Sequence, residues 1–509
     1  MHRAFDSEDI IHSILAYLKS SPKDLKTLAV TCSRLSGPAL DSLWAEQYSF
    51  GRLFMCLTPD LRKFVGPTIH LAREPTPSEW ERLQINAARV RRFIERPIWP
   101  RGYAYYSVSG PALQSLFKRF PPATLFPNLC AFNSQPLRFS HSDIPLYGKF
   151  MLPGLEALAL DVLRTDRVEG YFGALPDSLR QLSISACRAL AVLPSFEKLP
   201  KLLTLSIDGL DMRMTRQAIT NIQRARYLHT LKLTLRKTSY DQDGGVMTLE
   251  LSSLQRLSLS GKVLPQCTHF IRQITTCQLS HLTIEYRRPA SPSEIAEFVE
   301  SFVISCQNHG SLKQISVVDK SDFHDDERVI PLSSEVFRPL LTFTGLLSVV
   351  FEGIGNYDLD DRFINDIPDA WPGIQELKFA SHRPASCTVS FTAMVVFASR
   401  CRSLQSLHLT CDATQPTVIP QDKDGTERLW PAQSALRRLH FGHSKVPQVG
   451  RMPFILAKVF PALSEVKCSN FVGYVLKVWK LVKVLRKFPD RDEGDLEYNW
   501  WEHIGDLND

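Results

Sequence analysis

The sequence predicts an α/β fold, in which a three-helix N-terminal module precedes an irregular repeat solenoid with a parallel sheet on its concave side. Two patterns indicate this fold: helical spacing of apolar residues in 1–50, and a short leucine motif that recurs over most of the remaining chain. The chain has 509 residues, of which 44% are hydrophobic and 22% charged. It is about three times as long as an ordinary domain, but its composition is that of a globular protein. Several domains or one long array must therefore share it.

Residues 1–50 carry three helical stripes. The first runs from Asp6 to Leu18, with acidic residues in its first turn, and Pro22 closes it. We expect the second to end at Gly37 and the third to follow Pro38. Because so small a unit buries little surface, part of its apolar stripe should remain available to another protein. The alternative is a plain helical start that only packs on the solenoid. The residues expected at this surface are Ile10, Ile11, Ile14, Leu15, Leu18, Leu25, Leu28, Leu35, Leu43 and Trp44.

The motif L-x-x-L-x-L, or a close variant, recurs from about residue 129 to residue 468. Its copies start at 129, 155, 179, 202, 228, 254, 279, 312, 346, 374, 404, 436 and 463. Each copy is typical of a short strand whose fourth and sixth residues point inward, while the rest of the repeat returns along the convex side. Stacked copies would form one parallel sheet. The alternative is a set of amphipathic strands in an unrelated α/β fold.

These repeats resemble those of leucine-rich repeat proteins. The family's ladder residue, an Asn or Cys three places after the sixth position, is present only as Cys187, and other repeats have Arg236, Lys262 or Ser444 there. The resemblance implies a solenoid that departs from an ideal horseshoe.

The N-terminal helices resemble the F-box found ahead of repeats in many fungal proteins. The matching segments are D-I-I-x-x-I-L-x-Y-L from Asp9, D-L-x-x-L-A-V-x-C-x-x-L from Asp24, and P-A-L-D-S-L-W from Pro38. Phe5 and Asp6 replace the Leu-Pro that commonly opens the box. The resemblance implies a substrate receptor of a cullin-based ubiquitin ligase of the SCF type. In such a receptor the box binds a Skp-type adaptor, and through it the cullin, while the repeats hold a protein substrate.

The segment after the box is similar to these fungal proteins too. Residues 76–79 form a capping box with Pro at the first helical position, and we expect the helix to continue through Trp80, Leu83, Val90 and Phe93. The segments that begin W-P-G-I-Q-E-L at Trp371 and C-R-S-L-Q-S-L at Cys401 match the family's repeats. An arginine row on the linker helix is typical of a solvated face, or of a contact with an acidic protein surface or nucleic acid. Its members are Arg82, Arg89, Arg92 and Arg96.

Five segments follow from these patterns. They are an F-box-like module at 1–50, a helical linker region at 51–125, the repeat solenoid at 126–470, a C-terminal capping helix at 471–489, and an acidic tail at 490–509. The capping helix is basic and amphipathic, so a helix lying on a membrane is the alternative.

The usual catalytic and metal-binding motifs are absent from the sequence or incomplete. No phosphate loop occurs, and the segment from Gly442 to Val446 lacks the second glycine of a nucleophile elbow. A calcium-like turn near Asp424 has prolines at two ligand positions. His440 and His443 lie in a strand motif, where residues three apart point to opposite faces. We therefore expect no enzyme activity, catalytic residue, metal or cofactor.

Charge and cysteine usage favour a cytoplasmic or nuclear protein without a membrane segment. The 11 cysteines are scattered singly, the start carries acids where a signal peptide would be apolar, and no long apolar run occurs. The net charge of +7 is a modest surplus that weakly favours acidic partners but does not select one, and nucleic acid is an unlikely partner.

The fifth residue of each motif should face the concave side of the sheet. In the last repeats these residues are basic or titratable, namely Lys378, His408, His440 and Lys467. We expect them to form a substrate-binding stripe for carboxylates or a phosphorylated segment. Glu376 and Glu465 lie beside it, and an ordinary polar face is the alternative.

The leading hypothesis is a non-catalytic substrate receptor. The alternative is a leucine-rich repeat scaffold or binding protein without a ubiquitin role, which binds an anionic partner or nucleic acid through its basic surfaces.

Overall fold

The computed structural model divides the chain into two compact units, residues 1–210 with 214–228, and residues 211–213 with 229–509. The residues that the structure describes are 7–94, 106–134, 148–162, 175–190, 196–211, 216–236, 249–275, 278–306, 308–321, 331–381, 389–414, 432–444, 452–469, 480 and 482–483. The acidic tail and all of the expected capping helix except residues 480, 482 and 483 lie outside them.

The first unit begins with three helices, and a parallel sheet follows. Its helices are α1 (Glu8–Leu18), α2 (Pro22–Thr31), α3 (Ser33–Trp44), α4 (Gly51–Phe54), α5 (Pro77–Ala87), α6 (Gly110–Arg119), α7 (Pro122–Leu125) and α8 (Arg216–Gln223). Its strands are β1 (Glu46–Gln47), β2 (Arg62–Val65), β3 (Thr68–Leu71), β4 (Arg92–Phe93), β5 (Ser107–Val108), β6 (Ala131–Asn133), β7 (Ala157–Val162), β8 (Gln181–Leu190) and β9 (Thr204–Asp211).

The break between the second and third helices differs from our expectation. It lies at Cys32, whose backbone is extended, and Pro38 lies inside α3 instead of preceding it. Pro38 costs one helical hydrogen bond. The helix continues because Leu35 and Ala39, one turn apart, are both buried in the module's core.

The sheet of this unit starts well before the first expected repeat at residue 129. Strands β1, β4, β6, β7, β8 and β9 lie side by side, with Gln47 opposite Phe93 and Phe93 opposite Phe132. The helix that we expected to reach Phe93 ends at Ala87. Val90 and Phe93 then supply the first and fourth positions of one more repeat, and both are buried. The capping box of α5 is confirmed, since the Glu79 carboxylate accepts from the Thr76 backbone nitrogen at 2.7 Å.

Phenylalanines fill the core under these first strands. The Phe50 and Phe93 rings lie 4.8 Å apart, and Phe132 and Phe150 stack at 4.4 Å. Phe93 and Phe132, from successive strands, and Phe50 and Phe150, outside the strands, replace the smaller leucines of later repeats. The first strands therefore need no complete leucine motif.

The second unit carries the remaining strands. They are β10 (Thr230–Arg236), β11 (Leu249–Glu250), β12 (Arg256–Gly261), β13 (Ile274–Thr275), β14 (His281–Tyr286), β15 (Gln314–Asp319), β16 (Pro331–Ser333), β17 (Ser348–Glu352), β18 (Asn356–Asp358), β19 (Glu376–Ala380), β20 (Ser406–His408), β21 (Arg438–His440) and β22 (Glu465–Lys467). Of these, β11 and β13, and β16 and β18, form two small separate sheets. Its helices are α9 (Leu264–Arg272), α10 (Pro292–Ser305), α11 (Asp361–Ala370), α12 (Phe391–Arg400) and α13 (Met452–Val459).

The register of this sheet follows the repeat motif. Strands β10, β12, β14, β15, β17, β19, β20, β21 and β22 pair in parallel in this order. Leu257 lies opposite Leu282, which lies opposite Ile315, and all three are buried. In β12, β14 and β15, buried residues alternate with more exposed ones. The prediction that the fourth and sixth residues point inward is therefore confirmed in these strands.

Serine hydroxyls make the hydrogen bonds between repeats that the missing ladder residue would make. At the ladder position itself, buried Ser444 accepts from the Cys411 backbone nitrogen at 2.8 Å and donates to the Phe441 carbonyl. Elsewhere, Ser280 and Ser311 donate to the Gln255 and Leu279 carbonyls of the preceding repeat. Backbone groups between repeats are thus satisfied without a column of asparagines.

Candidate functional site

The structure divides the residues expected to bind an adaptor into buried and accessible ones. The buried members form the core of the module and are Ile11, Leu15, Leu25 and Leu35. The half-buried members are Ile14, Leu18, Leu28, Leu43 and Trp44, and Ile10 is exposed. Buried side chains cannot contact a partner without unfolding the module, so only the second group can form a binding surface.

One face of α1 is apolar and open. Ile10, Ile14 and Tyr17 follow each other at helical spacing, next to the face that carries the buried Ile11 and Leu15. The exposed fraction is 41% for Ile10 and 86% for Tyr17. On α2, Val30 is also exposed. We call Ile10, Ile14, Tyr17 and Val30 the open apolar set. Our sequence reasoning missed Tyr17 and Val30, although both lie within the segments that match the F-box.

Ion pairs fix the module to the strand that follows α5. Arg89 pairs with Asp41 and also donates to the Gly37 carbonyl at 3.1 Å. Arg92 and Lys19 both reach the Glu46 carboxylate, at 3.4 and 2.9 Å. Arg89 is half-buried in these contacts, which corrects the expectation of a solvated face for this member of the arginine row. Arg82 and Arg92 are exposed, as a solvated face requires. Arg96 lies outside the described residues.

The four residues expected to bind a substrate form one continuous row. Lys378 lies opposite His408, His408 opposite His440, and His440 opposite Lys467 on neighbouring strands β19 to β22. Adjacent strands are about 4.8 Å apart, so the whole row fits within one partner segment. We call these four residues the basic row.

The centre of the basic row is a pair of stacked imidazoles. The His408 and His440 ring centroids lie 3.9 Å apart. His440 Nδ1 accepts from the Gly442 backbone nitrogen at 2.9 Å, which places the proton of the neutral ring on Nε2. His408 Nε2 is buried and has no hydrogen-bond partner in the part of the chain that the structure describes.

Gly442 makes this arrangement possible. Its φ of 54° lies in the left-handed region, and a Cβ atom there would collide with the Thr410 hydroxyl. Gly442 begins the segment that resembles an incomplete nucleophile elbow. Its role here is structural, because it turns the chain so that its backbone nitrogen reaches His440.

The charge of the basic row differs from our expectation. The pKa of His408 is lowered to about 3, chiefly by burial and in addition by the neighbouring His440 and Lys378. Burial and the nearby Lys467 ammonium also lower the pKa of His440. Lys378 pairs with Glu352 at 2.7 Å, and Lys467 pairs with Glu465. At neutral pH the two imidazoles are uncharged and each ammonium faces a carboxylate, so the row carries little net charge.

Within the described ranges, no group of three or more His, Cys, Asp or Glu side chains is placed to hold a metal ion. No helix among them is both long and apolar enough to cross a membrane. The calcium-like turn near Asp424 lies outside the described residues.

Comparison with solved structures gives distant likenesses. An internalin from Listeria monocytogenes has a TM-score of 0.33 and 13% identity, covering 64% of this chain and 82% of its own. A leucine-rich repeat protein from Leptospira interrogans has a TM-score of 0.28 and 14% identity. The match covers 66% of this chain and 87% of that protein. The leucine-rich repeat-containing protein LegL7 from Legionella pneumophila has a TM-score of 0.27 and 10% identity. The match covers 68% of this chain and 94% of that protein. No protein-family model matches the sequence, and no curated protein matches it significantly.

Proposed function

We propose that the chain is a non-catalytic substrate receptor of a cullin-based ubiquitin ligase. Its F-box-like module would bind a Skp-type adaptor through the open apolar set, and the repeat sheet would hold a protein substrate. The transfer chemistry would belong to other subunits. The receptor would act by proximity, because holding a substrate lysine near a charged ubiquitin carrier raises the effective concentration of the reacting groups.

One observation carries the proposal. The module has a closed core of its own, yet Ile10, Tyr17 and Val30 stay exposed on the helices whose sequence resembles the F-box. Large apolar side chains grouped on a small helical unit are typical of a protein-binding surface. Because Tyr17 and Val30 are each at least 80% exposed, the module's own packing does not account for them.

Affinity purification of the intact chain tests the proposal. We expect a Skp-type adaptor to copurify with the wild-type chain and with Ile304→Asp, a matched control that charges an exposed isoleucine of the second unit. Ile10→Asp and Tyr17→Asp should abolish copurification, because a carboxylate at either position would be buried without a partner. Leu15→Asp does not serve here, since Leu15 is a core residue and its loss would unfold the module. Unchanged adaptor capture by both surface variants, or no adaptor with any chain, would refute the proposal.

A further inference from the structure

The basic row has the donors of an anion site but lacks the charge of one. Lys378 and Lys467 lie at its two ends, each held by a carboxylate, and the two neutral imidazoles lie between them. The Lys467 side chain is 62% exposed, so its ammonium can turn from Glu465 to a visiting group. An anion that approaches the row therefore meets a movable cation at the Lys467 end, a paired cation at the Lys378 end and titratable rings at its centre.

One proton would change the charge of this centre. Two imidazoles at 3.9 Å cannot both be charged without strong repulsion, but a single proton can be held by one of them. The charged or titratable groups near the pair lie on several strands of the sheet. Lys378 on β19, His443 after β21, and Glu465 and Lys467 on β22 act on one or both rings. Glu352 on β17 pairs with Lys378, and Glu376 on β19 and Arg438 on β21 lie two residues before Lys378 and His440.

The buried Nε2 atom of His408 is a second observation that supports an anion at the basic row. His408 Nε2 has no hydrogen-bond partner among the described residues, and a buried polar atom without a partner costs free energy. A bound acceptor would favour a proton on the imidazole pair by attraction. An anion and a proton would consequently bind together, each raising the affinity for the other.

We propose that the basic row is a proton-coupled anion site, which takes a carboxylate or phosphate group of a protein segment together with one proton from solvent. The proton is held on the pair formed by His408 and His440, and Lys378 and Lys467 contact the anion from the two ends. This inference rests on the proposed function in one respect, namely that the repeat sheet is the surface that holds a partner. It names the chemistry of that partner.

Inorganic sulfate is a suitable probe, because it keeps both negative charges throughout the physiological pH range and cannot supply the proton itself. Calorimetric titration of the full chain in buffers of different ionisation enthalpy measures the protons taken up for each sulfate. We expect uptake that approaches one proton, and an affinity that rises by up to about tenfold for each pH unit of acidification. Binding without proton uptake, or no binding at slightly acidic pH, would overturn the proposal.

Variants locate the effect. His440→Gln should lower the proton uptake, because only the more deeply buried His408 then remains to hold the proton, whereas Lys467→Met should weaken sulfate binding and leave the uptake in place. Lys467 is exposed, so the second variant keeps the fold even if the first loses it. His70→Gln, on β3 of the other unit, is the control and should behave as the wild type. Equal proton uptake by His440→Gln and the wild type would contradict the assignment. Because no adaptor takes part, failure here and failure of the receptor proposal are separate results.

Discussion

The imidazole rings of His408 and His440 stack at 3.9 Å with an angle of 25° between their planes. Their strands are adjacent in the parallel sheet and their Cα atoms are register partners, so the sheet spacing itself brings the rings together. The stack shields both rings from water and keeps them neutral. His408 and His440, which the sequence suggests as a source of positive charge, are therefore a neutral pair in the folded chain.

This burial makes the stability of the second unit depend on pH. The unfolded chain protonates His408 near the ordinary pKa of 6.5, whereas the folded chain does so only near about 3. Between these values the unfolded state holds more protons, so stability falls as the pH falls. The free energy of unfolding should drop by at most about 1.4 kcal/mol per pH unit for this group. Urea midpoints at about pH 7 and about pH 5 measure the change.

The matched variant separates His408 from other groups. His408→Gln should lose less stability on acidification than the wild type, because its side chain takes up no proton. His70→Gln should keep the wild-type dependence. An unaltered pH dependence in His408→Gln would show that the ring is protonated as easily in the folded chain as in the unfolded one.

Ser444 should matter to stability as the ladder asparagine does in a regular repeat. It is fully buried, and its hydroxyl accepts from the Cys411 backbone nitrogen. Ser444→Ala removes that acceptor and should cost about 1–3 kcal/mol of unfolding free energy. Ser464→Ala removes an exposed hydroxyl that donates to the Arg437 carbonyl, and should cost less than about 0.5 kcal/mol. Similar costs for the two variants, measured by urea unfolding, would contradict the account of the ladder.

Truncation of two residues of α1 should change the stability of the module to very different extents. Leu15→Ala opens a cavity in the core of the module and should cost about 2–5 kcal/mol. Ile10→Ala removes an exposed side chain and should change stability by less than about 0.5 kcal/mol. Hydrogen exchange of peptides from α1, α2 and α3 reports the local stability of the module. Faster exchange in Ile10→Ala than in Leu15→Ala would reverse the assignment of the two faces.

Much of the repeat sheet is predictable, because a period of two fixes which residues face the core. Leu257 and Leu282 follow from their motif alone, and so does the alignment of Lys378 with His408. The earliest strands are not predictable in this way. Phe93 fits the end of an amphipathic helix as well as the fourth position of a repeat, and only pairing with Gln47 and Phe132 decides between them.

The chemistry of the site is less predictable than its location. Nothing in the local sequence says that Gly442 donates to His440, or that Lys378 and Glu352 pair across strands that are far apart in the chain. The same holds for Ser444, whose ladder role depends on a backbone nitrogen of the preceding repeat. Pattern gives the face on which a side chain lies, while its charge and partners depend on tertiary contacts.

The most direct test of the receptor proposal is calorimetric titration of the purified full-length chain with a purified Skp-type adaptor at low and high salt. Burial of the open apolar set predicts binding with a negative heat-capacity change and an affinity that hardly varies with salt. Ile304→Asp should bind equally well, whereas Tyr17→Asp should not bind. Absence of binding by the wild-type chain, or binding that weakens steeply with salt and is unchanged in Tyr17→Asp, would contradict the account.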